Sequence, residues 1–224
     1  MSDFVALNFH GLGAPERVLE SGEAPYWLGA GQFEGILDRI AARPERARIR
    51  ITFDDGNRSD VTIALPLLLA RGLRAEFFVL SERIGQPGSL DAGDIAALDD
   101  AGMGIGSHGV AHVDWTGLPP DALEAELAGS KARIEDICGI RVRAAGIPFG
   151  RYNSAVLMAL RAAGYETAWS SDGGTMRESD FPRARTSLRG AMTPGEIDGI
   201  LAGRMAPVRK LRRALGMASK RWLA

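Results

Sequence analysis

Short β-branched or aromatic runs alternate with longer helical stretches along most of this chain, and this alternation constrains the fold more than any other feature. Phe4 to Phe9 precedes Gln32 to Ala42, Ile49 to Phe53 precedes Ser59 to Arg71, and Ala75 to Leu80 precedes Ala92 to Ala101. Gly104 to Ser107 then precedes Pro120 to Cys138, Arg143 to Gly146 precedes Ser154 to Ala163, and Glu166 to Ser170 precedes a glycine-rich turn. Parallel strands need a crossover between them, so strands alternating with helices of this length predict parallel βα units. Seven or so units without an interrupting linker predict an α/β fold, a single-domain distorted (β/α) barrel of about seven parallel strands. With 224 residues, 46% of them hydrophobic, the chain can fill one core and is short for two.

Local punctuation supports this reading. Thr193-Pro194-Gly195-Glu196 places a capping Thr, a Pro at the first helical position and a Glu at the third, which predicts a helix from Glu196 to Ala202. Pro66 falls inside the second helical stretch and should kink it or mark its boundary.

The polar residues are placed as a barrel would need them. His10 follows the first strand, Asp54 and Asp55 the second and His108 the fourth, while Pro148 and Trp169 fall at or just beyond later strand ends. In a parallel barrel these carboxyl ends share one rim, where catalytic groups converge. Adjacent carboxylates at a strand end are costly unless one binds a cation. His108 and His112, spaced i and i+4, are expected on one face of a helical turn. One carboxylate and two imidazoles form a three-ligand set, leaving a position for water and a second carboxylate to deprotonate it, which points to a hydrolase. The plainer reading of the Asp pair, a helix N-cap with an exposed neighbour, leaves the histidines unexplained.

Thr52-Phe53-Asp54-Asp55-Gly56, His108-x-x-x-His112 and Pro148-Phe149-Gly150, in this order, resemble the polysaccharide deacetylases with a NodB-type domain, over residues 4 to 203. The resemblance implies that Asp54 is the general base and that Asp55, His108 and His112 hold one divalent metal ion, zinc first, with cobalt, iron or manganese as alternatives. It implies that the backbone N–H of Phe149 binds the oxyanion and that Trp169 lines an acetate pocket, against plain turn and core-packing readings of each. Two departures stand out. The family commonly has Arg two residues before the Pro of its third motif, where this chain has Gly146, so Asp54 must be oriented from elsewhere; Arg183 and Arg185 are candidates. The family's general acid is usually a histidine near the C-terminus, and none follows His112 here. Leu7-Asn8-Phe9-His10-Gly11 resembles the N-terminal element of the branch that includes bacterial poly-N-acetylglucosamine deacetylases, which makes His10 the candidate acid. Trp115, in the loop after His112, is expected to be exposed and to stack on a sugar ring.

The function that follows is metal-dependent N-deacetylation of N-acetylated amino-sugar units in a polysaccharide or its lipid-linked precursor. Two alternatives remain: a deformylase or esterase on a lipid-linked sugar using the same metal site, and a catalytically silent carbohydrate-binding protein.

Charge separates the chain into two parts. Residues 204–224 carry seven Arg or Lys and no acid, whereas residues 1–203 hold 20 basic against 28 acidic groups, a net of −8. The first part is expected to be the deacetylase domain and the second a C-terminal basic helix. An acidic body without a basic stripe excludes a nucleic-acid partner. In the tail, Val208, Leu211, Leu215, Ala218 and Trp222 recur at spacings of 3, 4, 3 and 4 among basic residues. This pattern predicts a basic amphipathic helix over 207–223, either in peripheral contact with an anionic membrane or packed on the barrel with a solvated outer face. The lone Cys138 forms no internal disulfide, the first residues lack a signal-peptide pattern and no segment reaches eighteen apolar residues, so a cytoplasmic protein is expected, peripheral at the inner membrane face if the tail binds lipid.

Overall fold

Six strands form at the predicted runs: β1 (Phe4–Phe9), β2 (Ile49–Phe53), β3 (Glu76–Val79), β4 (Gly104–Ser107), β5 (Ala144–Gly146) and β6 (Thr167–Ser170). The computed structural model describes residues 3–222, apart from the side chains of Arg209, Arg221 and Trp222. The six strands lie side by side in chain order and parallel, with Val5 opposite Ile49, Thr52 opposite Glu76, Phe77 opposite Ile105, Ser107 opposite Ala145 and Ala145 opposite Ala168. The crossovers are α1 (Ala30–Ala41), α2 (Leu65–Leu69), α3 (Ala92–Asp100), α4 (Pro120–Glu124) with α5 (Ser130–Cys138), and α6 (Ser154–Ala162).

Three two-residue strands add to the expected set: β7 (Thr175–Met176), β8 (Arg183–Ala184) and β9 (Thr186–Ser187). β7 runs antiparallel to β1, β8 pairs with β6 and β9 pairs with β1, both in parallel. Because only Arg185 separates β8 from β9, one short segment bonds to both edges of the sheet and nearly closes the barrel. Strands of two residues are too short to show a periodic pattern, which is why the alternation does not reveal them.

Strand alternation divides the core in two. Val5, Leu7 and Phe9 of β1, Ile49, Ile51 and Phe53 of β2, and Phe77 and Val79 of β3 face outward against the helices. There the rings of Phe9, Phe53 and Phe77 stack at 5.2 and 4.7 Å, and Phe33 of α1 meets Phe9 edge-on. Phe33, Ile36, Leu37 and Ile40, at helical spacing, form the buried stripe of α1. The inward positions hold small residues around three large ones: Ala6, Phe78, Ala144, Trp169, Met176 and Ala184.

The helical stretch expected over residues 59–71 is divided. Asp60–Ala64 forms a wider π-helical turn, and α2 follows with Pro66 in its first turn, where a missing N–H costs little. A second π-helical turn, Ala125–Gly129, separates α4 from α5. α7 (Pro194–Leu201) begins at the predicted capping box, with Thr193 Oγ1 accepting from Glu196 N and Glu196 accepting from Thr193 N. α8 (Pro207–Trp222) is the predicted basic helix. Among the described residues, no helix is long and apolar enough to cross a membrane.

Candidate active site

The carboxyl ends of β1, β2 and β4 open into a cavity of about 280 Å³, lined by His10, Asp54, Asp55, His108, His112 and Phe149 among others. Six of the seven residues proposed from the sequence meet there. Asp55 Oδ1 lies 3.6 Å from His108 Nε2 and 3.8 Å from His112 Nε2, and it is buried with no hydrogen-bond partner. The second nitrogen of each imidazole is engaged: His108 Nδ1–H donates to the carbonyl of Gly146 at 2.8 Å, and His112 Nδ1–H donates to the Glu20 carboxylate at 2.6 Å. Both Nε2 atoms are thus left as lone-pair donors facing one buried, unpartnered carboxylate oxygen. A divalent cation fits this donor set, whose ligand atoms lie within 4.8 Å of one another.

The two histidines are not on a helical turn. Residues 108–112 form an irregular loop in which Gly109 adopts φ +94°. Glu126, in the second π-helical turn, shapes that loop by accepting from the N–H groups of Val110 and Ala111 at 2.9 and 3.2 Å and from Trp115 Nε1 at 3.3 Å. Trp115 is therefore a buried support of the loop and not the exposed sugar-stacking ring expected. The i, i+4 spacing reflects a loop that returns on itself, which sequence spacing cannot distinguish from a helix.

Asp54 is held from below. Arg185, fully buried between β8 and β9, donates from Nη1 to Asp54 Oδ1 at 2.7 Å and from Nη2 to Oδ2 at 3.0 Å. Asn8 Nδ2 adds a bond to Oδ2 at 2.8 Å, while Asn8 Oδ1 accepts from Arg185 Nη1 and from Thr52 Oγ1. Of the two candidate arginines, Arg185 takes the role; Arg183 donates to the carbonyl of Glu178 and lies over Trp169. Gly146 also has a steric reason. A Cβ there would come within 2.9 Å of Phe78, 3.0 Å of His108 Nδ1 and 3.2 Å of Asp54 Oδ1.

Burial by itself would raise the Asp54 carboxyl, but the Arg185 guanidinium, with His108 and His10, outweighs it and holds Asp54 well below the usual carboxylate range. Burial, against the opposing pull of Asp54 and Asp55, lowers His108 to about 4, which keeps the imidazole neutral and able to ligate. Asp60 goes the other way. Its buried carboxyl oxygens have no hydrogen-bond partner, and burial together with the charge of Asp55 raises it well above the ordinary value.

The remaining residues divide between the cavity and the core. The His10 ring packs 4.9 Å from that of Tyr26, and its buried Nδ1 has no partner. Phe149 is half exposed, adopts φ +56° and packs with its ring centre 4.3 Å from that of His112, tilted by 33°. A non-glycine residue in that region stores strain, as does Asp55 at φ +79°, and strain of this kind concentrates at functional sites. Trp169 does not line the cavity: strand alternation turns its ring into the barrel, toward the opposite mouth beside Arg50, Arg74 and Glu76. Glu20, which orients His112, and Asn8, which braces Asp54, were not evident from motif or spacing.

A family model described as polysaccharide deacetylase matches residues 41–168. YxkH of Bacillus subtilis (strain 168), named provisionally as a polysaccharide deacetylase, is 29% identical over 155 residues, 66% of this chain and 56% of that protein. The matched region spans about half the length of the curated relatives. Among solved structures, the Streptococcus pyogenes deacetylase PplD, in complex with acetate, superposes with a TM-score of 0.75 at 19% identity, covering 89% of this chain and 98% of that one. IcaB from Ammonifex degensii superposes with a TM-score of 0.71 at 21% identity, covering 91% and 97%. At these identities the superpositions establish the shared fold.

Proposed function

The chain belongs to the polysaccharide deacetylase family, and from that premise we propose that it is a metal-dependent N-deacetylase of acetamido groups on amino-sugar units, in a polysaccharide or its lipid-linked precursor. The observation that carries this reading is the division of labour between adjacent carboxylates. Asp55 presents an unpartnered oxygen to two oriented imidazoles, while Asp54, 4.0 Å from His108 Nε2, is kept ionised by a bidentate arginine. Asp55, His108 and His112 would hold the ion, zinc first among divalent metals of this ligand preference. Bound there, such an ion supplies Lewis acidity to the attacked carbonyl and acidity to water.

In this reading the chain's own groups do the following. Asp54 removes the proton from the attacking water, and Arg185 with Asn8 fixes the carboxylate so that it meets that water without reorganising. The backbone N–H of Phe149 donates to the developing oxyanion. His10, whose Nδ1 is unpartnered, delivers a proton to the nitrogen as the C–N bond breaks, so that amide and water yield amine and acetate. Trp169 has no part in this scheme.

The test is acetate and amine release from short N-acetylglucosamine oligomers and from a lipid-linked N-acetylated amino sugar. The protein would be stripped of metal and refilled with zinc, cobalt, iron or manganese. Metal-dependent release, reduced roughly 10²-fold or more in Asp54→Asn and in His10→Ala, is expected. Stoichiometric metal binding with no release from either substrate would refute the assignment.

A further inference from the structure

Helix α8 presents to solvent the face that a simple packing helix would bury. Val208, Leu211 and Leu215 are 65%, 62% and 63% exposed, with Ala218 exposed beside them, and spacings of 3, 4 and 3 align the four in one stripe. The opposite face is the seated one, and it is held by polar contacts. Arg213 Nη2 donates to the carbonyl of Thr175 at 3.1 Å; Lys220 Nζ donates to Asp172 Oδ1 at 2.6 Å and to the carbonyl of Gly150 at 3.1 Å, over the Tyr152 ring. The helix is thus fixed to the barrel without using its apolar stripe.

Charge selects what would cover that stripe. Exposed Lys210 and Arg212 flank it, the segment 204–224 contains no acid, and the rest of the chain is net −8. A second copy pairing stripe to stripe would set the same positive charge against itself. A soluble polyanion would neutralise the cations and leave Val208, Leu211 and Leu215 in water. A surface that offers anionic groups above hydrocarbon satisfies both halves of the helix.

We propose that α8 is a peripheral anchor for an anionic lipid surface, with Val208, Leu211, Leu215 and Ala218 entering the boundary between headgroups and acyl chains and Lys210 and Arg212 at the phosphates. The anchor adjoins the cavity. Gly150, which accepts from Lys220, belongs to the turn that carries Phe149, and Asp172 follows Ser171; Phe149 and Ser171 both line the cavity. Docking therefore sets the cavity rim beside the lipid surface, where an amino sugar carried on a lipid would be presented. The anchoring does not depend on the proposed reaction, so it is tested separately.

The full chain would be sedimented with phosphatidylcholine vesicles, with and without phosphatidylglycerol, beside Leu211→Glu/Leu215→Glu and Lys210→Glu/Arg212→Glu variants whose folding is checked by circular dichroism. Binding to the anionic vesicles at least about tenfold stronger than to neutral ones, weakened by salt and by each variant about tenfold or more, is expected. Equal sedimentation of the parent protein and the Leu211→Glu/Leu215→Glu variant would overturn the proposal. So would binding to heparin without binding to anionic vesicles, which would assign the tail to a soluble polyanion.

Discussion

Arg185→Met removes the cation beneath Asp54 while keeping most of the aliphatic stem, and its cost follows from the geometry. The guanidinium is fully buried, bonds both oxygens of Asp54 at 2.7 and 3.0 Å and lies 5.1 Å from the Phe78 ring centre. Breaking a buried ion pair from one side costs about 3–5 kcal/mol, because the surviving charge has lost its compensation. Asn8 still donates to Asp54 at 2.8 Å, which places the expected loss near the lower limit, about 3 kcal/mol, or roughly 6–12 °C in Tm for a domain of this size. The carboxyl should also titrate higher, since burial raises it and Arg185 is the largest opposing influence. Where Asp54 sets the acidic limb of kcat/KM, that limb should accordingly move up. The assay is urea unfolding of the parent, Arg185→Met, Asp54→Asn and the double variant, with pH–rate profiles for the parent and Arg185→Met, which retain Asp54. Removing both charges should recover part of the loss, giving a coupling of about 2 kcal/mol or more. Additive losses with an unmoved acidic limb would show that Arg185 acts only by filling space, and the electrostatic account of Asp54 would fall.

Three further outcomes are expected. Glu20→Gln keeps the size of the side chain that holds His112 but removes its charge, and should weaken zinc affinity about 10- to 100-fold in a competition titration with a chromophoric chelator; unchanged affinity would show that the 2.6 Å contact does not orient the ligand. Gly146→Ala forces a methyl group against Phe78, His108 and Asp54 and should cost about 1–3 kcal/mol in urea unfolding, with a parallel loss of activity. In the metal-free protein, His108 is lowered to about 4 from an ordinary 6.5, so the unfolded chain binds the extra proton between these values. Stability should be full above pH 6.5 and fall by about 3 kcal/mol as pH drops to 4. A His108→Asn variant should lose that slope, and an identical slope in both proteins would remove His108 from the account.

The alternation of short strand runs with helical stretches determined the class of fold by itself, because each crossover and each periodic face is encoded within a few tens of residues. The convergence of Asp54, Asp55, His108 and His112 was legible for a similar reason: each pair lies close in sequence, and the barrel topology required both pairs to reach one rim. The supporting contacts were legible only in part: Arg185 was one of two candidates for orienting Asp54, and nothing signalled Glu20. Arg185 meets Asp54 across 131 residues and Glu20 meets His112 across 92, and neither pairing follows from local spacing. The first depends on two-residue strands that close the sheet, and the second on a loop whose composition carries no code. The same limit explains the aromatic residues. Trp115 and Trp169 have the composition of binding surfaces, but the Glu126 bonds bury one and strand alternation turns the other into the barrel. The amphipathic pattern of α8 was visible in the chain, while the face it turns outward was decided by Asp172, Gly150 and Thr175, which accept its basic side chains. Periodicity specifies that a helix has two faces; only tertiary packing selects which one is buried.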